Sequence, residues 1–228
     1  LEFRRVLFRS ISPDALMPPD APIRTAYWER TLKEHAAFSV AYAFAAKILR
    51  ADVLHSLPPT EPLYPRCAPP CASDLAEQAP HIRFTPLMKD LCAGIIGREN
   101  TAVGKAYKIY EYITRNIRYA YVRDYFLLDD LGEYCALNGS GDCGLQALMM
   151  IVLCRIAGIP ARWQSGLYID GNSADGHDWV QFWLDGWGWV FADPSFGGDA
   201  FRKGDEALRA FYFGHVDPLR AAANSVFQ

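Results

Sequence analysis

The least polar stretch of the chain, Leu145–Ile156, has only Gln146 and Arg155 as polar residues in twelve positions. A helix that is apolar on nearly every side has no face to offer water, so it belongs in the middle of a domain. Gly139-Ser140-Gly141-Asp142 before it, and Gly158 and Pro160 after it, are helix start and stop signals. Upstream, Ala102–Ile117 carries Tyr107, Ile109, Tyr110, Ile113 and Ile117 at the spacings of one helical face, and Pro86–Ile96 reads as a further helix. Thr25–Leu57 reads as one long helix: Trp28, Leu32, His35, Ser39, Tyr42, Ala46, Leu49 and Val53 recur at spacings of three and four, and Glu29 and Lys33 add a helical charge pair. Six prolines fall between Pro58 and Pro70. Proline fixes φ and removes a donor, so this segment is a loop and the best boundary in the chain. Downstream, Ala161–Ile169, Asp178–Leu184 and Trp187–Asp193 read as strands, and Arg118–Val122 as a short extended entry; Phe126–Ala136 has a mixed pattern and receives no assignment.

The last two strands test their own pairing. A two-residue turn at Asp185-Gly186 pairs Leu184 with Trp187 and sends His177 and Asp193 to opposite faces, because alternate residues of a strand point opposite ways. A three-residue loop, Asp185-Gly186-Trp187, pairs Trp179 with Asp193 instead and puts His177 diagonal to Asp193 on one face. A bulge near Gly188 does the same. The expectation is therefore an odd loop or a bulge.

Composition narrows the class. The chain has 228 residues, of which 51% are hydrophobic and 21% charged, too apolar for a disordered chain and long enough for a real core. A net charge of −3 gives no basic footprint for nucleic acid or an anionic membrane surface, and no apolar run approaches the 18–20 residues of a membrane span. Leu1–Ser10, LEFRRVLFRS, reads residue for residue as one frame of a sequencing-library adapter and is set aside as a scar. Without its three arginines and one glutamate the net charge is −5. The expected organisation is a scar at 1–10, an N-terminal helical flank at 11–57, a proline-rich linker at 58–80 and a catalytic domain at 81–228, cut short at its C-terminus. No internal repeat is present.

The candidate chemistry lies on the buried helix and the hairpin. Cys143 sits at the first turn of that helix, where free N–H groups and the helix dipole favour thiolate over thiol. His177 precedes one strand and Asp193 ends its partner. A cysteine on a helix tip facing a histidine and an aspartate on adjacent antiparallel strands is a nucleophile, a base and an orienter. Asp142 reads as the helix N-cap. Asp178 and Asp175 compete with Asp193 as orienters, and Arg162 reads as an anchor for a carboxylate or a backbone carbonyl. Cys67 and Cys71 form a C-x3-C pair that no second pair completes into a zinc site; a disulfide would need an exported protein, and two free thiols are expected. Cys154 reads as core, and Cys92 and Cys135 carry no signal.

Four motifs in register resemble the transglutaminase-like superfamily: Gly141-Asp142-Cys143-Gly144-Leu145-Gln146-Ala147, Cys154-Arg155-Ile156-Ala157-Gly158-Ile159-Pro160-Ala161-Arg162, His177-Asp178-Trp179 and Asp193-Pro194. The resemblance spans about Arg118 to Gly197. It implies an α+β, papain-like core with the cysteine helix packed on an antiparallel sheet carrying the histidine and aspartate. It implies Cys143, His177 and Asp193 as catalytic triad, an acyl-enzyme mechanism on a peptide or protein amide substrate, and no metal or cofactor. It points to bacterial relatives rather than the calcium-dependent cross-linking enzymes, since no acidic calcium cluster is visible. Cross-linking members place a tryptophan upstream of the nucleophile to hold the oxyanion; here no tryptophan lies between Trp28 and Trp163. Substitute donors are the Cys143 backbone N–H with Tyr119 or Asn138, and losing one such donor typically costs about 2.7–4 kcal/mol. Hydrolysis, as in a peptidase or amidase, is the first expectation and transamidation the second. Two other readings stay open: an inactive transglutaminase-like module that binds peptide or a partner protein, and an arylamine N-acetyltransferase-like acyltransferase.

Overall fold

The computed structural model describes residues 2–8, 12–18, 25–31, 42–47, 51–64, 67–225 and 227. Its centre is a five-stranded antiparallel sheet with a helical layer against one face. The helices are α1 (Pro86–Ile96), α2 (Ala102–Asn116), α3 (Leu131–Asn138), α4 (Cys143–Ile156), α5 (Pro194–Arg202) and α6 (Glu206–Phe211). Each of the first four begins on a side-chain cap: Thr85, Thr101, Asp130 and Asp142 accept the N–H groups of Met88, Gly104, Glu133 and Leu145. The nearly all-apolar α4 is buried from Gly144 to Arg155, packed on the sheet with α1, α2 and α3 around it. Its terminal arginine, Arg155, is buried because its Nε and Nη1 donate to Ala161 O, Ala76 O and Gln78 Oε1.

N-terminal to the helices lie four strands: β1 (Glu2–Phe8), β2 (Ala15–Leu16), β3 (Ala26–Tyr27) and β4 (Tyr42–Lys47); β1 pairs with β4 and β2 with β3, both antiparallel. The long helix expected over Thr25–Leu57, and with it the helical flank, is corrected here. Within that span the described residues hold β3, β4 and a turn at 53–55, while 32–41 and 48–50 lie outside the described residues. The reason is that Tyr42, Phe44 and Ala46 satisfy a period of two as well as one near 3.6, and β1 offers β4 backbone partners that a lone alanine-rich helix does not have. The strand β1 is built from the decapeptide set aside as a scar. The proline-rich segment lies against the sheet: Leu63 N donates to Trp187 O, and Trp189 Nε1 to Ala68 O.

Five strands make the central sheet, after a two-residue parallel pair of β5 (Arg118–Tyr119) and β6 (Ser140–Gly141) that brings Tyr119 beside the tip of α4. They are β7 (Ala161–Ile169), β8 (Ala174–Leu184), β9 (Gly188–Ala192), β10 (Phe213–Gly214) and β11 (Arg220–Asn224), in the spatial order β10-β9-β8-β7-β11. The β8–β9 ladder runs from Val180↔Ala192 to Leu184↔Gly188, so the loop is the three residues Asp185-Gly186-Trp187, as the register argument required. Gly186 and Gly188 both take positive φ, 80° and 83°, the conformations that let the chain turn and rejoin the ladder. Val180, Phe182 and Leu184 face α4 in the main core, while Trp179 packs with Tyr64, Phe191 and Val216 on the other face. Phe126–Ala136, unassigned from its pattern, contains a short 3-10 turn (Tyr125–Leu127) and most of α3. No helix among the described residues is long and apolar enough to cross a membrane.

Candidate active site

β8 outruns β9 by several residues, and at its free end His177 and Asp178 meet the tip of α4 and the start of α5. His177, Asp178 and Cys143 line one groove of about 570 Å³, with Tyr119, Tyr121 and Tyr125 along its wall and Gly166 and Gly176 where β7 and β8 pair.

His177 and Asp193 are brought together. Imidazole Nε2 lies 2.7 Å from Asp193 Oδ2, and both side chains are buried. Asp193 is also the N-cap of α5: its Oδ1 accepts from Phe196 N (2.9 Å) and Ser195 Oγ (3.0 Å). Burial by itself pushes the Asp193 carboxyl up, yet the charges of His177 and Arg220 outweigh it and hold the group well below the ordinary carboxylate range. A permanently ionised carboxylate only accepts, so His177 carries its proton on Nε2 and leaves Nδ1 free to exchange one. Phe196 packs on the imidazole with ring centroids 4.3 Å apart.

Cys143 stands at the first position of α4, capped by Asp142, whose carboxylate also accepts from Val122 N and from the Tyr125 hydroxyl. Gly144 follows because a Cβ there would press on Tyr125 Oη and come within 3.2 Å of Asp178 Oδ2. The sulfur's hydrogen-bond partner is Asp178 Oδ2, at 3.5 Å, rather than the imidazole. Burial, and then the Asp178 carboxylate, push the Cys143 thiol up, against the helix tip, which favours the thiolate. Asp178 in turn is raised to about 6, by burial first, with its hydrogen bond to Cys143 and the His177 charge opposing. Strand alternation carries the signal that places it: Asp178 shares the α4-facing side of β8 with Val180, Phe182 and Leu184, whereas His177 shares the other side with Trp179.

The other candidates sort clearly. Tyr119 lines the groove and Asn138 does not; the Asn138 amide donates to Tyr134 O within α3. Burial, followed by the charges of Cys143, Asp142 and Asp178, raises the Tyr119 hydroxyl, which keeps it a donor. Asp175 accepts from Ser173 Oγ in the exposed β7–β8 turn and lies outside the groove lining. Among the described residues, Arg162 Nε donates to Gln181 Oε1 and its guanidinium stacks 3.8 Å over Trp189. All six cysteines are free thiols. Arg220, unmarked in the sequence, is fully buried with Nη1 2.7 Å from Asp193 Oδ2.

Comparison with known proteins gives a family match over part of the chain and several solved structures of low similarity. Residues 89–194 match the transglutaminase-like superfamily. No curated protein matches the chain in sequence. Among solved structures, a candidate cysteine protease of Cytophaga hutchinsonii superposes with a TM-score of 0.45 at 22% identity, over 54% of this chain and 41% of that one. The periplasmic domain of TgpA from Pseudomonas aeruginosa gives 0.42 at 21% identity, over 59% and 49%. The chain thus spans less than half the length of the structures it matches. The family match begins within α1, takes in α4 and the β7–β8–β9 meander, and ends just past Asp193, so over these residues, a little under half of the chain, the protein is similar to the transglutaminase-like superfamily.

Proposed function

We propose that the protein is a cysteine-dependent acyl-transfer enzyme acting on amide bonds of peptides or proteins, with Cys143 as nucleophile, His177 as base and acid, and Asp193 as orienter. The observation that carries this reading is that His177, held 2.7 Å from the buried Asp193, lines the same groove as Cys143 at its helix tip. His177 Nδ1 takes the thiol proton as the sulfur attacks the amide carbonyl. The oxyanion lies against the free N–H of Cys143 and the Tyr119 hydroxyl. His177 returns the proton to the leaving amine, a thioester remains on Cys143, and water, deprotonated by His177, releases the acid. Hydrolysis is our first reading and transamidation the second, since water needs no acceptor site of its own. Engagement requires the sulfur to leave Asp178 for the imidazole, and hydrogen bonds of this kind commonly close only around substrate.

The same Asp178 contact favours a second reading, a module that binds peptide without turning it over. Iodoacetamide labelling of Cys143, followed across pH by peptide mass spectrometry, separates the two. The enzyme reading expects His177→Ala to slow labelling at pH 7 by about tenfold or more. A labelling profile indifferent to His177→Ala selects the binding module. Peptide-like and glutamine-like electrophiles then report the acyl group that the groove accepts.

A further inference from the structure

Arg220 lies outside the segment shared with the family, on β11, and its guanidinium is fully buried. A buried arginine needs a reason, because taking its charge out of water is costly unless the charge is matched. Here Nη1 lies 2.7 Å from Asp193 Oδ2, and Nε and Nη2 donate to Asp217 Oδ2 at 3.2 and 2.8 Å. The fork thus hydrogen-bonds Asp217 through two nitrogens while Nη1 meets Asp193 as an ion pair, an arrangement that a lysine point charge does not reproduce. Four aromatic rings, of Tyr168, Trp179, Phe196 and Tyr212, surround the guanidinium at 5.0–5.8 Å. Three of them, Tyr168, Trp179 and Phe196, also lie near the His177 ring.

Asp193 Oδ2 therefore faces two partners, the His177 imidazole and the Arg220 guanidinium. We infer that Arg220 is a positioning residue for the Cys143–His177–Asp193 site: it clamps Asp193 in place and shares its carboxylate oxygen with the imidazole. The sharing has a chemical consequence: the carboxylate that orients the ring is paired at the same time with a permanent cation, so removing that cation leaves the whole of its charge to the groups around it. Groups from every packed element take part: Asp193 and Ser195 at the start of α5, Tyr212 after α6, Asp217 before β11, Tyr168 on β7 and His177 on β8.

This inference rests on the proposed triad, so its test is run beside the test of the triad. The readout is the pH profile of Cys143 alkylation in the full chain, with folding followed by thermal melting. Removing a positive charge raises the proton affinity of every group near it, so Arg220→Met shifts the rising limb toward higher pH by about one unit. Arg220→Lys keeps the charge and loses the fork, so it leaves the limb in place while slowing the rate about threefold or more. A purely structural arginine lowers the melting temperature in both variants and moves neither limb nor rate; that result overturns the inference. If His177→Ala alters the profile while Arg220→Met leaves it unmoved, the triad stands and the role of Arg220 falls. If neither variant changes it, both fall. Should Arg220→Met fail to fold, the lysine variant decides: unchanged limb and unchanged rate overturn the inference.

Discussion

His177 and Asp178 are chain neighbours with opposite duties, because successive residues on a strand point to opposite faces. His177 turns to Asp193, and Asp178 turns to the sulfur. At neutral pH Asp178, raised to about 6, is mostly ionised, and its charge helps hold the Cys143 thiol up. Asp178→Asn is therefore expected to speed iodoacetamide labelling of Cys143 at pH 7.5 by about threefold or more, and to lose that advantage near pH 5, where the native carboxyl is already neutral. Slower labelling at both pH values would instead make Asp178 part of the activating machinery. The histidine, the cysteine and Asp193 were legible in the sequence because each stands at a marked place: a helix tip, a strand entry, a strand end before proline. Arg220 was not, because it precedes three alanines and its partner is 27 residues away on another element.

At the scale of elements, the site depends on how β11 reaches β7. Gly166 on β7 leaves room for β11: a Cβ there would lie 1.9 Å from Ala221 O. Gly166→Ala is thus expected to push β11 off the sheet edge, lowering stability by about 1–3 kcal/mol in urea unfolding and weakening Cys143 labelling as Arg220 leaves Asp193. Gly176→Ala, one ladder step away with open space around its Cβ, serves as control, with an expected change within about 0.5 kcal/mol. The helices α1, α2 and α4 and the strand β7 follow the sequence pattern closely, because each buries a continuous stripe or run and carries its own stop signals. The flank did not follow it. A mixture of alanine and alternating aromatics is compatible with either period, and the choice falls to whichever segment supplies partners, here β1.

For the whole molecule, two buried carboxyls bend stability against pH in opposite senses. Asp193 is held below its ordinary 3.8, so its contribution is full above that pH and is lost as pH falls further. Asp178 is raised from 3.8 to about 6, so the folded protein favours its protonated form, and its contribution fades as pH rises across that window. Urea midpoints measured from pH 2 to 8 are expected to climb through the acid range and to decline between about 4 and 6 for the part owed to Asp178. Asp178→Asn removes the decline and leaves the acid limb; Asp193→Asn flattens the acid limb. A profile that Asp178→Asn leaves unaltered would mean that the carboxyl is not buried against the thiol in solution.

The sequence by itself determined the buried helix that carries Cys143, the odd loop of the hairpin and Cys143, His177 and Asp193 as candidates, because these rest on local patterns: apolar runs, cap residues, alternation and loop length. Only the tertiary structure decided which groups those side chains meet. It gave the sulfur to Asp178, shared Asp193 between His177 and Arg220, chose Tyr119 over Asn138 at the groove, and turned the expected flank helix into strands. Contacts of that kind join residues far apart in the chain, and their energies depend on burial and neighbouring charge, quantities that exist only once the chain has folded.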